Sequence, residues 1–337
     1  MDESEFTPEV ENDRVVSPEA EESEIRKEVQ LRPNSFEEYI GQKQVVENIQ
    51  VMVTSATKRK RAMDHVLLSG PPGLGKTSLA MLISKAMETE LHVVSGPAVE
   101  KKGDLAALLT NLQPGDVLFI DEIHRMHISV EEILYSAMED YRLDIMIGQG
   151  ASARTMEINL SPFTLIGATT RSGLLSTPLR DRFMANLHFD FYRPDELQKI
   201  VRFNADKLEI RLDDEAFKTI SVCSRGTPRI ANRILRRVRD YAVATEKEGI
   251  HFQDVQKALQ MMSIDNAGLD RMDRKILQVI SDYYGGGPVG VEALCATLSE
   301  DRSTIEDVYE PYLLKEGFLI RTPRGREISQ KSKDHLG

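Results

Sequence analysis

Eight residues, GPPGLGKT at 70–77, constrain this chain more than any other stretch. They follow the apolar run HVLLS and lead into SLAMLISKAM, a helical pattern. A G-x-x-x-x-G-K-[ST] loop between strand and helix uses glycines to turn backbone N–H groups toward phosphate, at the positive end of the next helix. Gly73, Gly75, Lys76, Thr77 and Ser78 are the candidate contacts to ATP. Lys76 should reach the β and γ phosphates, and the Thr77 hydroxyl should ligate Mg2+.

The rest of the chain supplies the sheet such a loop needs. Apolar runs at 91–96, 116–122, 163–170 and 187–191 alternate with helix-length segments. That texture predicts an α/β fold, a parallel sheet flanked by helices. After Pro194 no strand-like run occurs until beyond residue 262, so a small helical domain is expected there. A third unit opens near 266–284, with Ile276, Val279, Ile280 and Tyr283 on one helical face. GGGP at 285–288 breaks the chain, and GFLIRTPRGREI at 317–328 reads as two short strands around a turn, closing a winged helix. The expected division is an acidic tail at 1–30, a large nucleotide-binding domain at 31–192, a small helical domain at 193–263 and a winged-helix domain at 264–337.

Charge sharpens this division. The 337 residues carry a net charge of −11, but residues 1–30 hold 11 acids against 3 bases, a net of −8, leaving −3 for the remainder. The body is therefore nearly balanced, and its total charge does not exclude a nucleic-acid partner. The tail shows no apolar periodicity and is expected to be disordered. No apolar run approaches the ~18–20 residues of a membrane span. The acidic start differs from a secretory leader, so a cytoplasmic protein with no membrane partner is expected. Cys223 and Cys295 give neither a disulfide framework nor paired metal-ligand spacing.

Three further segments carry chemistry. LFIDEIH at 118–124 ends a buried strand in two acids: Asp121 is placed to hold Mg2+ and Glu122 to polarise an attacking water. His124 and His127, spaced i, i+3 without a second ligand pair, read as the polar surface of a helix start. IGATT at 166–170 ends another strand in hydroxyls, with Thr170, ahead of Thr169, as the candidate to sense phosphate or position water. TPLRDRF at 177–183 sets Arg180 and Arg182 around Asp181; from the residues alone these arginines could pair on the surface or meet a phosphate. In the last domain SEDRSTIEDVYEPYL begins a helix with Ser303 and Glu306 in capping-box spacing, and a buried stripe of Ile305, Val308, Tyr309, Tyr312 and Leu313. Arg302 at that helix start and Arg321, Arg324 and Arg326 on the wing suit phosphate contacts, which position without reading sequence.

In this order the segments resemble the AAA+ ATPases and, within them, the RuvB family of Holliday-junction branch-migration motors. The resemblance spans about 31–330 and rests on LRPNSFEEYIGQ, GPPGLGKT, DEIHR, GATTRSGLLSTPLRDRF, RGTPRIANRILRRVRD, TIEDVYEPYL and GFLIRTPRGR. It implies a homo-hexameric ring in which Arg182, ahead of Arg180, reaches a neighbour's γ-phosphate, and Arg229 contacts phosphate from the small domain of its own subunit. It places Leu31, Arg32 and Tyr192 near the base, Glu139, Asp140 and Tyr141 at the subunit boundary, and Arg302, Arg321 and Arg326 on duplex DNA. Arg233, Arg236, Arg237 and Arg239 remain a solvated helix face. The segment 144–160, with Ile145, Met146 and Ile147 on one arm, reads as a hairpin, and the resemblance makes it the docking site for a RuvA-like junction-binding partner. A RuvC-like resolvase is implied as a further partner.

The expected activity is ATP-driven movement of duplex arms at four-way junctions during recombination and repair. A clamp loader would need a helical collar where this chain has a basic hairpin. A nucleotide-reset DNA-binding switch would share Glu122 and Arg182, and is separated from a motor only by experiment.

Overall fold

The computed structural model describes residues 31–147, 154–247 and 249–336. The acidic tail and the tip of the expected hairpin, 148–153, lie outside them. Residues 33–337 form one compact unit, and Leu31 and Arg32 fall outside it.

Seven strands belong to the large domain: β1 (Val66–Ser69), β2 (Leu91–Ser95), β3 (Val117–Asp121), β4 (Arg142–Ile147), β5 (Arg154–Asn159), β6 (Thr164–Thr169) and β7 (Ala185–His188). Five form a parallel sheet in the order β2-β3-β6-β1-β7. The central strands are buried nearly end to end, as expected for a sheet covered on both faces. On one face the helices Lys43–Arg59 and Lys76–Met87 pack through Ile49, Leu79 and Ile83, and the same core runs on through Leu197, Ile234 and Leu259. Those three come from the helices Pro194–Lys207, Pro228–Ala244 and Phe252–Met261 of the helical segment. On the other face Lys102–Asn111 and Ile128–Glu139 cover Leu118, Ile120 and Leu165. β4 and β5 pair antiparallel away from this sheet, the expected hairpin.

This strand order positions the site. β1, β6 and β3 are neighbours, so the loop after β1, the acids ending β3 and the hydroxyls ending β6 meet at one carboxyl edge of the sheet. Ligands of open parallel sheets bind at that edge.

The C-terminal segment holds the helices Arg271–Tyr284 and Val291–Leu298, a broken helix from Arg302 to Lys315, and the wing strands β8 (Leu319–Thr322) and β9 (Gly325–Ile328). Ile276, Ile280, Leu294, Ile305, Leu313 and Phe318 are its core. Three expectations change here. Tyr283 is 75% exposed, and Tyr284 packs on the core in its place. Val308 is 48% exposed because a π turn at Ile305–Tyr309 slows the rotation of the chain, bringing Tyr309 and Glu310 inward. The helix starts at Arg302 after Asp301, which leaves Ser303 inside the first turn with no capping box to Glu306.

One buried arginine fixes this segment to the rest. Arg225, just ahead of the helix Pro228–Ala244, sets its guanidinium 2.9 Å from Asp273 and 3.0 Å from Asp270, and 4.9 Å from the centre of the Tyr312 ring. Asp273 is 0% exposed, and burial lifts its carboxyl to about 7 against the pull of Arg225. Removing one partner of a buried pair strands the other charge, at a cost of about 3–5 kcal/mol. Arg225→Met should lower the urea midpoint accordingly. Because a protonated Asp273 needs no cation, the loss should be larger at pH 8 than at pH 5.5. An equal loss at both would show that Asp273 stays ionised without its partner.

Candidate active site

The phosphate loop depends on two glycines. Gly73 (φ 79°) and Gly75 (φ 101°) hold left-handed backbone. A Cβ on Gly73 would come within 2.9 Å of Arg229 Cβ, and one on Gly75 within 2.5 Å of the Tyr39 hydroxyl. Lys76 and Thr77 then open the helix Lys76–Met87. The Lys76 ammonium donates to the carbonyls of Gly70 (2.8 Å) and Pro71 (2.9 Å). Burial lowers it to about 8, while Asp121 and Glu122 draw it upward and Arg229 depresses it further. A buried cation within the field of two carboxylates and a second cation is a donor set suited to a polyanion.

Asp121 ends β3, and its Oδ1 accepts from the Glu122 N–H at 3.0 Å. Among the described residues its Oδ2 meets no protein partner, leaving a hard oxygen donor within the field of the Lys76 ammonium. Glu122 adopts left-handed backbone (φ 50°) as the chain leaves the strand. Burial first, then Asp121, raises its carboxyl above the ordinary range, opposed by Lys76. The Thr170 hydroxyl lies 3.5 Å from Glu122 Oε2, so the structure brings this threonine to the second of the paired acids. Thr169 is buried, and its hydroxyl accepts from the Arg171 N–H at 2.9 Å.

His124 departs from its expected place. It is no surface residue: its side chain is 5% exposed, and Nδ1 lies 2.9 Å from Thr169 Oγ1 and 3.3 Å from Glu122 Oε2. The turn that follows Glu122 folds it inward. His127 is exposed as expected and caps the next helix by accepting from the Ser129 N–H.

Around this centre the remaining predicted residues separate into two groups. Tyr192 is buried and donates to the Leu74 carbonyl of the phosphate loop at 3.2 Å, while the Arg229 N–H reaches the Gly73 carbonyl at 3.4 Å. Both therefore sit against the loop. Arg182 is elsewhere. It donates to the carbonyls of Pro178 (2.7 Å) and Tyr135 (3.3 Å), pairs with Glu139 at 3.1 Å and stacks on the Tyr135 ring. None of these partners belongs to its own phosphate loop. Arg180 is exposed beside it. Asp140 lies 3.6 Å from Arg142, and Tyr141 packs edge-on against Phe163.

The wing arginines divide as well. Arg302 and Arg324 are exposed, and Arg321 is exposed with its nearest acid, Glu306, at 3.9 Å. Arg326 is the correction: expected on DNA, it is 6% exposed and bonded to Glu310 at 2.5 Å and Glu306 at 3.0 Å. It ties the wing to the helix beneath. Glu306 also meets Arg302 at 3.2 Å and Arg171 at 3.5 Å, and Asp307 receives Arg171 at 2.5 Å. Arg171, which the sequence did not single out, follows Thr170 directly. It joins the end of β6 to the helix under the wing.

A phosphate loop with a buried lysine, paired acids on the neighbouring strand but one, a hydroxyl between them and an arginine reaching the loop from a helical lid define an AAA+ ATPase. Family models bear this out over the whole described chain: the Holliday junction DNA helicase RuvB P-loop domain matches residues 31–189, the RuvB AAA lid domain 192–265 and the RuvB C-terminal winged helix domain 266–337. The chain is 55% identical over 307 residues to the Holliday junction branch migration complex subunit RuvB of Kosmotoga olearia, covering 91% of this chain and 90% of that protein. It is 55% identical over 313 residues to the subunit of the same name from Myxococcus xanthus, covering 93% and 91%. The solved Thermotoga maritima RuvB Holliday junction branch migration motor superposes with a TM-score of 0.85 at 48% identity, covering 91% of this chain and 98% of that one. The chain belongs to the RuvB family.

Removing the buried ammonium should cost a charge-assisted contact to phosphate, about 1.5–3 kcal/mol, or roughly ten- to a hundredfold in affinity. Lys76→Ala should therefore weaken binding of a fluorescent ATP analogue by at least about tenfold while leaving the melting temperature within a few degrees. Undiminished binding would remove the loop from the site.

Proposed function

We propose that the chain is an ATP-driven motor that moves duplex arms through four-way junctions. The observation that carries this is Arg182: an arginine held ready beside a phosphate-binding fold but bonded wholly away from its own phosphate loop. Such a residue completes a neighbour's site, which makes a ring the working unit, a homo-hexamer by family. Glu139, paired with Arg182 at 3.1 Å, and the Asp140 and Tyr141 that follow it would line that subunit boundary.

In each site Lys76, with Thr77, Ser78, Gly73 and Gly75, would hold the phosphates of ATP, and Leu31, Arg32 and Tyr192 would flank the base. Thr77 and Asp121 would hold Mg2+, which would neutralise charge on the β and γ phosphates. Glu122 would polarise the attacking water, with Thr170 steering it. Arg182 from the neighbour would stabilise charge spreading over the transferring phosphoryl group. Arg229, standing on the lid against Gly73, would report the γ-phosphate to the lid and turn its loss into rotation.

The division into parts at 31–192, 193–263 and 264–337 is supported by the spans of the three family models. The winged-helix part would hold DNA through Arg302 and Arg321. The hairpin within 144–160 would dock a RuvA-like partner, and a RuvC-like resolvase would act on the same junction. The side chains of Ile145, Met146 and Ile147 lie outside the described residues. No described helix is long and apolar enough to cross a membrane, in keeping with action on DNA in the cytoplasm.

The test is a labelled synthetic four-way junction with ATP, with and without a RuvA-like partner, against Lys76→Ala. Separation into two duplexes by the native chain, absent with Lys76→Ala, is the expected result. Hydrolysis that leaves the junction intact with the partner present would instead favour a clamp loader or a binding switch. A second measurement addresses the wing. Each phosphate contact contributes about one to the slope of log affinity against log salt. Arg302→Ala and Arg321→Ala should each lower that slope by about one. Arg326→Ala should leave it alone and lower thermal stability; a slope change there would return Arg326 to the DNA face.

A further inference from the structure

The helix Ile128–Glu139 buries a carboxylate that pairs with no cation among the described residues: Glu131 is 3% exposed. Its Oε2 accepts from the Ser176 hydroxyl at 2.6 Å. Ser176 is the N-cap of the short helix Thr177–Arg180, and its oxygen accepts from the Leu179 N–H at 3.4 Å. With the serine proton given to Glu131, the Tyr135 hydroxyl, 3.0 Å away, is left to donate to Ser176. One serine hydroxyl thus has its donor and both acceptor positions filled. Two of its partners, Glu131 and Tyr135, stand four apart on one helix face. Burial raises the Glu131 carboxyl above its ordinary range, and the serine hydrogen bond opposes this.

Whatever fixes Ser176 is passed on to Arg182. The Arg180 N–H donates to the Ser176 carbonyl at 3.0 Å and the Arg182 N–H to the Leu179 carbonyl at 3.2 Å, so the chain from cap to arginine is one hydrogen-bonded turn. Leu179 is buried beneath it. The Arg182 side chain then returns to the same group. Its guanidinium lies 4.7 Å from the centre of the Tyr135 ring, and Nε donates to the Tyr135 carbonyl at 3.3 Å. Tyr135 therefore meets both ends of the segment, its hydroxyl at Ser176 and its ring and carbonyl at Arg182.

We propose that Glu131 is a positioning residue for Arg182: through Ser176 it fixes the cap of the segment that presents the guanidinium, with Tyr135 as the floor on which that guanidinium lies. Glu131 acts at one remove, on the placement of Arg182 and not on the nucleotide. The inference rests on Arg182 completing a neighbour's site, and its test separates the two claims.

ATP hydrolysis would be followed in mixed rings of the full chain, one subunit type carrying Glu122→Gln and lending Arg182, the other carrying Arg182→Ala and keeping Glu122. Glu131→Leu would be placed on one type at a time. Misplacing a reacting group by about 1 Å costs up to ~100-fold. On the lending subunit the change should therefore lower kcat by roughly ten- to a hundredfold, with KM for ATP within about twofold. On the borrowing subunit there is no Arg182 to place, and kcat should stay within about twofold. Glu131→Gln on the lending subunit keeps an acceptor oxygen for Ser176 and should restore most of the rate. Leucine removes a buried carboxylate that has no cation, so the melting temperature should hold or rise while activity falls. Equal loss on both subunit types, no loss on either, or glutamine no better than leucine would overturn the proposal. If Glu131→Leu does not fold, Ser176→Ala carries the same comparison. If the pair without a Glu131 change is no more active than its components, the reading of Arg182 fails instead and takes this inference with it.

Discussion

A lysine ammonium taken out of water has to find opposite charge, and in this chain that requirement organises the site. Lys76 is buried at the start of its helix, satisfied by two loop carbonyls, with the field of Asp121 and Glu122 across from it. Those acids are available only because β3 and β1 flank β6, so that three strand ends converge. A sheet in simple sequence order would scatter them. Burying β1, β3 and β6 on both faces makes that convergence rigid, and rigidity is what lets dipoles and charges act on a transition state without reorganising.

The same rigidity extends to the C-terminal segment through ion pairs rather than apolar packing. Arg171 leaves the β6 strand end for Glu306 and Asp307, and Arg225 leaves the lid for Asp270 and Asp273. Each arginine lies within four residues of a group assigned to phosphate, Thr170 and Arg229 respectively. Glu306 also pairs with Arg302 and Arg321, the two arginines proposed for DNA phosphate. The contacts that would sense DNA and those that would sense nucleotide thus meet on one helix, where Glu306 shares Arg171 with Asp307 and Arg326 with Glu310 across the π turn at Ile305–Tyr309.

What the sequence revealed was whatever a short stretch determines by itself. GPPGLGKT, LFIDE and the Thr-Pro-Arg-Gly turn are each determined within a few residues, and the strand, loop and turn they predict stand where they were expected. His124 was misplaced because its spacing to His127 matched a helix surface, while a left-handed Glu122 and a tight turn sent it inward. Arg326 was misplaced because charge on a wing strand looks solvated until Glu310 is known to lie beneath it. Glu306 and Glu310, four apart on a helix with an apolar stripe, were the available signal. Arg171 and Arg225 left no signal, since their partners lie 136 and 45 residues away in the chain. Long-range ion pairs have no periodicity to read.

The central claim is that hydrolysis takes place between subunits, with Glu122 from one and Arg182 from the next. Mixing two inactive forms, Glu122→Gln and Arg182→Ala, tests it most directly, with mixed assembly followed by mass photometry. An Arg182→Ala subunit keeps its own Glu122 and can borrow Arg182 from a Glu122→Gln neighbour, so the mixture should hydrolyse ATP well above either form alone. An arginine at such a site is worth about 10³–10⁵ in rate, which leaves ample room to see the recovery. Mixed rings with no more activity than their components would place Arg182 in its own subunit's site, or outside the chemistry, and contradict the account.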